Sequence, residues 1–121
     1  MAKRKIYKEF YCDVYKFTLD FYVGYSGLEL EKTFKSRYGI DMPIDGNALG
    51  LYDDFHDIKG DWIRVLWVKN RNDLPTLVHE VTHLVLNIFT QRYIRIYDTS
   101  HNEHFTYYIE HWFRRLRAAM R

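Results

Sequence analysis

The sequence predicts an α+β fold, on three observations. Apolar and polar residues alternate with a period of two between Ile6 and Tyr25. A second β-rich apolar run, Trp62–Val68, follows in mid-chain. Beyond Asp73 the period changes to that of helices, twice, each time behind a capping signal. Strands segregated from helices in this way describe a small, largely antiparallel sheet with helices packed on it. A chain of 121 residues, 47% of them hydrophobic, is expected to form a single domain over residues 1–121 around one core.

The elements follow in order. Ile6–Asp13 alternates on one parity and Phe17–Tyr25 on the other, which predicts two short strands or one strand with a bulge. Ser26-Gly27-Leu28-Glu29 reads as a capping box, so a helix in the N-terminal half should run from there to about Tyr38 and stop at Gly39. Its buried stripe is expected to be Leu28, Leu30, Phe34 and Tyr38. Residues 40–47, with Pro43 and Gly46, form a loop. Ala48–Phe55 can be a strand, weakened by Gly50, and Lys59-Gly60-Asp61 a turn that places His56 in a loop. Trp62 and Trp67 differ in parity and should lie on opposite faces of the Trp62–Val68 strand. Asp73 can cap a helix over about Leu74–Tyr93, with Pro75 in the first turn, where its missing N–H costs nothing. Leu77, Val78, Val81, Leu84, Val85 and Ile88 form its core face. Ser100–Glu103 is a second capping box, and the last helix should run to about Met120 on Phe105, Tyr108, Ile109, Trp112, Phe113 and Leu116.

The long helix over Leu74–Tyr93 carries His79-Glu80-Val81-Thr82-His83, the H-E-x-x-H pattern. Residues four apart share a helix face, so His79 and His83 can present two imidazoles to one ion, beside the core face rather than within it. Glu80 falls at the edge of that face, where its carboxylate can reach a water on the metal. Two His ligands, a carboxylate base and an open position are the working parts of a zinc hydrolase. A catalytic zinc takes three protein ligands, and the downstream candidates for the third are His101, Glu103, His104, Glu110 and His111. Glu103 also has a purely local use, folding back as the third helical residue of its capping box. Tyr107 or Tyr108 could point into the cleft as an oxyanion donor, against the plainer reading of one more packed Tyr in a chain with 11 of them.

Composition bounds the rest. No apolar run approaches the length of a membrane-spanning helix, and the basic start MAKRKIYKEF lacks the apolar stretch of a secretory signal. One cysteine, Cys12, precludes an intramolecular disulfide, fits a reducing cytoplasm and suits a small buried hydrophobe. The net charge of +2 gives no argument for a nucleic-acid partner, and the basic ends Lys3-Arg4-Lys5 and Arg114, Arg115, Arg117 and Arg121 read first as solvated surface.

The two C-terminal motifs together resemble the small zincin-like metallopeptidase proteins, many of them carried by bacteriophages and prophages. In these a β-rich half is followed by an H-E-x-x-H helix and then by a helix opening with Asn/Asp-Glu-x-x-Ala-Tyr. Here the second motif is Asn102-Glu103-His104-Phe105-Thr106-Tyr107, with Thr106 where Ala is usual. The resemblance covers about the last third of the chain. It implies a zincin-like fold, Zn²⁺ held by His79, His83 and Glu103, and Glu80 as the catalytic carboxylate. The function expected is hydrolysis of peptide bonds by a zinc-activated water, on a peptide or protein substrate, in the cytoplasm of a bacterial host if the chain is phage-encoded. The substrate should lie along Trp62–Val68 as an added strand. Two other readings stand beside it: a zinc-bearing interaction module without turnover, and a specialised regulatory protease acting on a repressor or a DNA-bound protein.

Overall fold

The change of parity after Asp13 resolves into a hairpin. β1 (Ile6–Cys12) and β2 (Phe17–Val23) pair antiparallel from Ile6↔Val23 to Cys12↔Phe17, and Lys16 turns the chain at φ 56°. The computed structural model describes residues 4–94 and 99–121, the side chains of 99–102 excepted. After the hairpin come α1 (Gly27–Tyr38), β3 (Gly50–His56), β4 (Trp62–Val68), α2 (Leu74–Gln91) and α3 (Thr99–Ala119).

The strands form one sheet in the order β1-β2-β4-β3. It is mixed rather than simply antiparallel, because β2 and β4 run parallel while β3 and β4 pair antiparallel. The chain leaves β2 through α1, lays β3 at the far edge and returns to insert β4 between them. β4 is therefore interior, not the edge expected for it. Its composition gives the reason. Val65 and Trp67 on one face and Leu66 and Val68 on the other are all fully buried, and a strand covered on both faces reads as a near-continuous apolar run. The exposed edge beside the helices is β3. Trp62 and Trp67 do differ, the first half exposed and the second buried.

α1 covers one face of the sheet, and Leu30, Phe34 and Tyr38 pack there with Tyr22, Val65 and Trp67. α2 and α3 cover the other, where Phe21, Val23 and Leu66 meet Leu77, Val81, Leu84, Ile88, Trp112 and Leu116. The interior is thus two apolar clusters with the sheet between them, not one. The Ser26–Glu29 capping box is formed in both directions, and Gly39 closes α1 at φ 71°. Leu28 is 71% exposed and Val78 45%, so neither belongs to its expected stripe. Asp73 caps α2 through the Thr76 N–H at 3.1 Å. Leu77, Val81, Leu84, Val85 and Ile88 are fully buried, each contributing about 1.5–3 kcal/mol of transfer free energy that fixes α2 on the sheet. The Ser100–Glu103 capping box lies outside the described side chains. Cys12 is buried, as expected, with its sulfur 2.9 Å from the Tyr108 hydroxyl.

A polar network sits inside the α1 layer. The buried Asp20 carboxylate accepts from Tyr38 at 2.5 Å and from Tyr7 at 3.2 Å, and Arg37 donates to Tyr22 at 2.8 Å, beside Tyr38. Burial, then the bonds to Asp20 and Tyr22, push the Tyr38 hydroxyl far above its ordinary pKa, so it is a donor throughout the working pH range. Tyr38→Phe strips the buried carboxylate of that bond. The expected result is a loss of about 1–3 kcal/mol in a urea titration with unchanged slope; an unchanged midpoint would show the bond to be dispensable.

Candidate metal centre

The face of α2 at positions 79, 83, 87 and 91 is set by the four-residue repeat, and β3 lies along it. Its first two members are the motif histidines. The His79 and His83 Nε2 atoms stand 3.2 Å apart, with ring centroids 4.7 Å apart and planes nearly perpendicular at 84°. Two nitrogens each about 2.05 Å from one ion, at that separation, subtend roughly 100°, close to a tetrahedral angle. Both rings are exposed, while Glu80 is 7% exposed, and ligand atoms of the three residues all lie within 4.8 Å of one another. Among the described residues this is the one such cluster. Its donor set of two imidazoles and a carboxylate fits Zn²⁺ and other divalent transition metals alike.

Glu80 projects from the buried side of α2 toward β3, and Gly50 makes room for it. A Cβ at Gly50 would sit 3.1 Å from Glu80 Oε2, 2.9 Å from the Trp67 carbonyl oxygen and 2.5 Å from Thr76 Cγ2. The glycine that weakens β3 as a strand in the sequence is thus where strand and helix approach most closely. Burial raises the Glu80 pKa above the usual carboxylate range, against the opposing pull of His79, His83 and the Tyr52 backbone N–H. A carboxyl tuned upward in a cleft is suited to accepting and returning a proton.

The cleft, about 520 Å³, runs between β3 and α2 and contains Glu80 and His83. Past the histidines its floor is a polar rail. Tyr52 Oη donates to Asn87 Oδ1 at 3.0 Å, Gln91 Nε2 to Asp54 Oδ2 at 3.0 Å, and Arg64 to Gln91. Tyr52, Asn87 and Gln91 are site residues that the sequence reading passed over. Asn87 and Gln91 could have been found by continuing the four-residue step from His83; Tyr52 could not, because its place depends on which strand takes the edge.

The remaining candidates stand elsewhere. Glu103 lies outside the cluster, exposed on α3, where its carboxylate accepts from Tyr107 Oη at 3.3 Å. Tyr107 is 62% exposed. Tyr108 is buried on Cys12, away from the cleft. His104 Nε2 is 2.7 Å from the Tyr15 hydroxyl, and its ring stacks on Phe89. Glu110 pairs with Arg114. The side chain of His101 lies outside the described residues. His56 ends β3 instead of lying in a loop, its ring 4.9 Å from that of Trp62. No helix among the described residues is long and apolar enough to cross a membrane. No family model, curated protein or solved structure matches the chain.

Proposed function

We propose that the chain is a metal-dependent peptide hydrolase whose ion is Zn²⁺. The observation that carries this reading is the convergence of His79 Nε2 and His83 Nε2 at 3.2 Å with the Glu80 carboxylate in the same cluster, at the mouth of a cleft. His79 and His83 would hold the ion, and Glu103, the third ligand that the likeness to zincin-like proteins implies, would complete the set. Bound there, the metal supplies a Lewis acid that acidifies water and polarises a carbonyl.

The chain's own residues do the rest. Glu80 accepts a proton from the attacking water and returns it to the leaving amine nitrogen. Tyr52 and Asn87 mark the wall on which a substrate backbone is oriented, and β3, as the free edge, takes the strand-adding role expected of Trp62–Val68. The ladder phase restricts how. The Lys69 N–H bond to the Leu49 carbonyl (2.9 Å) makes that pair a hydrogen-bonded one, so the backbones of Gly50, Tyr52 and Asp54 face outward. The Asp54 N–H already donates to Asp53 Oδ1 at 2.8 Å and the Tyr52 N–H to Glu80, so a substrate pairs chiefly through the Gly50 N–H and the outward carbonyls, beside Glu80.

Equilibrium dialysis against Zn²⁺ tests the metal assignment. The wild type should bind one ion. His83→Ala should lose it, and Glu103→Ala should weaken it at least about tenfold. Wild-type protein that takes up no ion would overturn the reading. Undiminished affinity in Glu103→Ala would remove that residue from the ligand set and leave His79, Glu80 and His83.

A further inference from the structure

Three segments far apart in sequence meet at the end of the molecule where α2 begins. Gly24, at φ 83°, lets the backbone of Arg4 pass against the end of β2, where a Cβ would collide with the Arg4 carbonyl. The Gly24 N–H donates to the Val68 carbonyl at 3.2 Å, which ties this point to the loop between β4 and α2. Arg71 Nε donates to the Met120 carbonyl at 2.5 Å, which ties the same loop to the end of α3. The result is a pair of adjoining concavities of about 410 and about 140 Å³ that share Arg71 and Asn72. Arg4, Lys69, Arg71, Arg117 and Arg121 line them. The one acid in the lining, Asp73, is engaged by the Thr76 N–H at 3.1 Å and the Thr76 hydroxyl at 2.5 Å. Among the described residues the ion pairs are Lys5–Glu29, Lys35–Asp41 and Arg114–Glu110, so none of the five cations is paired with a described acid. A net charge of +2 for the whole chain conceals this concentration, which the sequence scatters over both termini and one loop.

We propose that this end of the molecule binds the phosphate backbone of duplex nucleic acid. Four of the five cations are arginines, whose planar forks match phosphate oxygens two at a time. Asn70 and Asn72 share the lining and can add neutral donors. The concavities are open enough to admit a phosphodiester with its sugars. Two alternatives fit less well. A protein partner needs an apolar or aromatic centre to its interface, and this lining offers only Gly24, Leu74 and Met120. A single strand is held by stacking on aromatic rings, and the lining has none. The surface reads backbone and not sequence. It stands apart from the histidine pair and does not depend on the metal.

The test is fluorescence anisotropy of the full chain with a labelled duplex of roughly 20 base pairs over a salt series starting near 50 mM. Five cations predict that log K falls with log salt at a slope of about −3 to −5. Lys69→Glu/Arg117→Glu/Arg121→Glu, which leaves Arg71 on Met120, should weaken binding at least about tenfold and flatten the slope by about 3. Lys8→Glu/Lys32→Glu/Lys59→Glu, the same charge change on other faces, should keep the wild-type slope. If the first triple variant melts early, Lys69→Glu and Arg121→Glu singly should each flatten the slope by about 1. Three results would overturn the proposal: no duplex binding at the lowest salt, equal losses in the two triple variants, or competition by polyglutamate as strong as by unlabelled duplex. The last would make this end a face for acidic protein.

Discussion

Glu80→Gln should lower peptide hydrolysis by about 10²- to 10⁴-fold while the protein still binds its metal, because the amide keeps the shape of the side chain but cannot take a proton. The geometry makes this a clean variant. Glu80 sits under the histidines, 7% exposed, against a glycine, and an amide of the same size occupies that space without displacing β3. Both imidazoles and their 3.2 Å approach lie on the outer side of α2 and are untouched by the change. The burial that raises the Glu80 pKa penalises the ionised form, so losing the charge should leave the melting temperature unchanged or slightly raised. Stability and activity then move independently, and a loss of turnover in this variant reports chemistry and not folding.

Gly50→Ala should have the largest structural effect of any single methyl added near the cleft. The new Cβ would stand 2.5 Å from Thr76 Cγ2 and 2.9 Å from the Trp67 carbonyl oxygen, both tighter than real contacts allow. The Trp67 backbone is held in the middle of the sheet, so relief must come from β3 moving away from α2, which draws the Tyr52 N–H and Oη away from Glu80 and Asn87. The expected cost is about 1–3 kcal/mol of stability, with a further loss of turnover as the cleft widens. Thr76→Ser removes the methyl that collides and keeps the hydroxyl that bonds Asp73. In the double variant part of the stability should return, and a double-mutant cycle measures how much. Strict additivity of the two changes would mean that β3 and α2 are not in contact at this point.

The elements themselves were legible. Both capping signals that fall on described residues, Ser26 with Glu29 and Asp73 ahead of Pro75, start helices where expected, because a side-chain acceptor at an N-cap is a local interaction that needs no tertiary context. The histidine pair was legible for the same reason, since four residues on a helix fix a spatial relation. What was misread was long-range. The place of Trp62–Val68 directly before α2 suggests an edge, although its two-sided apolar pattern marks the interior strand that it is. Gly50 weakens a strand when read in the sequence and is, in the fold, the close contact that admits Glu80. Leu28 was placed in the stripe of α1 from its residue type, yet only Leu30, Phe34 and Tyr38 turn toward the sheet. The basic end depends on which loop meets which terminus, and no local pattern carries that.

The most direct test of the central claim is one cleavage screen. Zn²⁺-loaded wild type and Zn²⁺-loaded Glu80→Gln are incubated with the same proteome-derived peptide library, and new termini are counted by mass spectrometry. The account predicts a set of cleavages present with wild type, abolished by chelation and absent with Glu80→Gln. Cleavage by Glu80→Gln at the wild-type rate would contradict the role of Glu80, and no cleavage by metal-loaded wild type at any site would contradict the hydrolase itself.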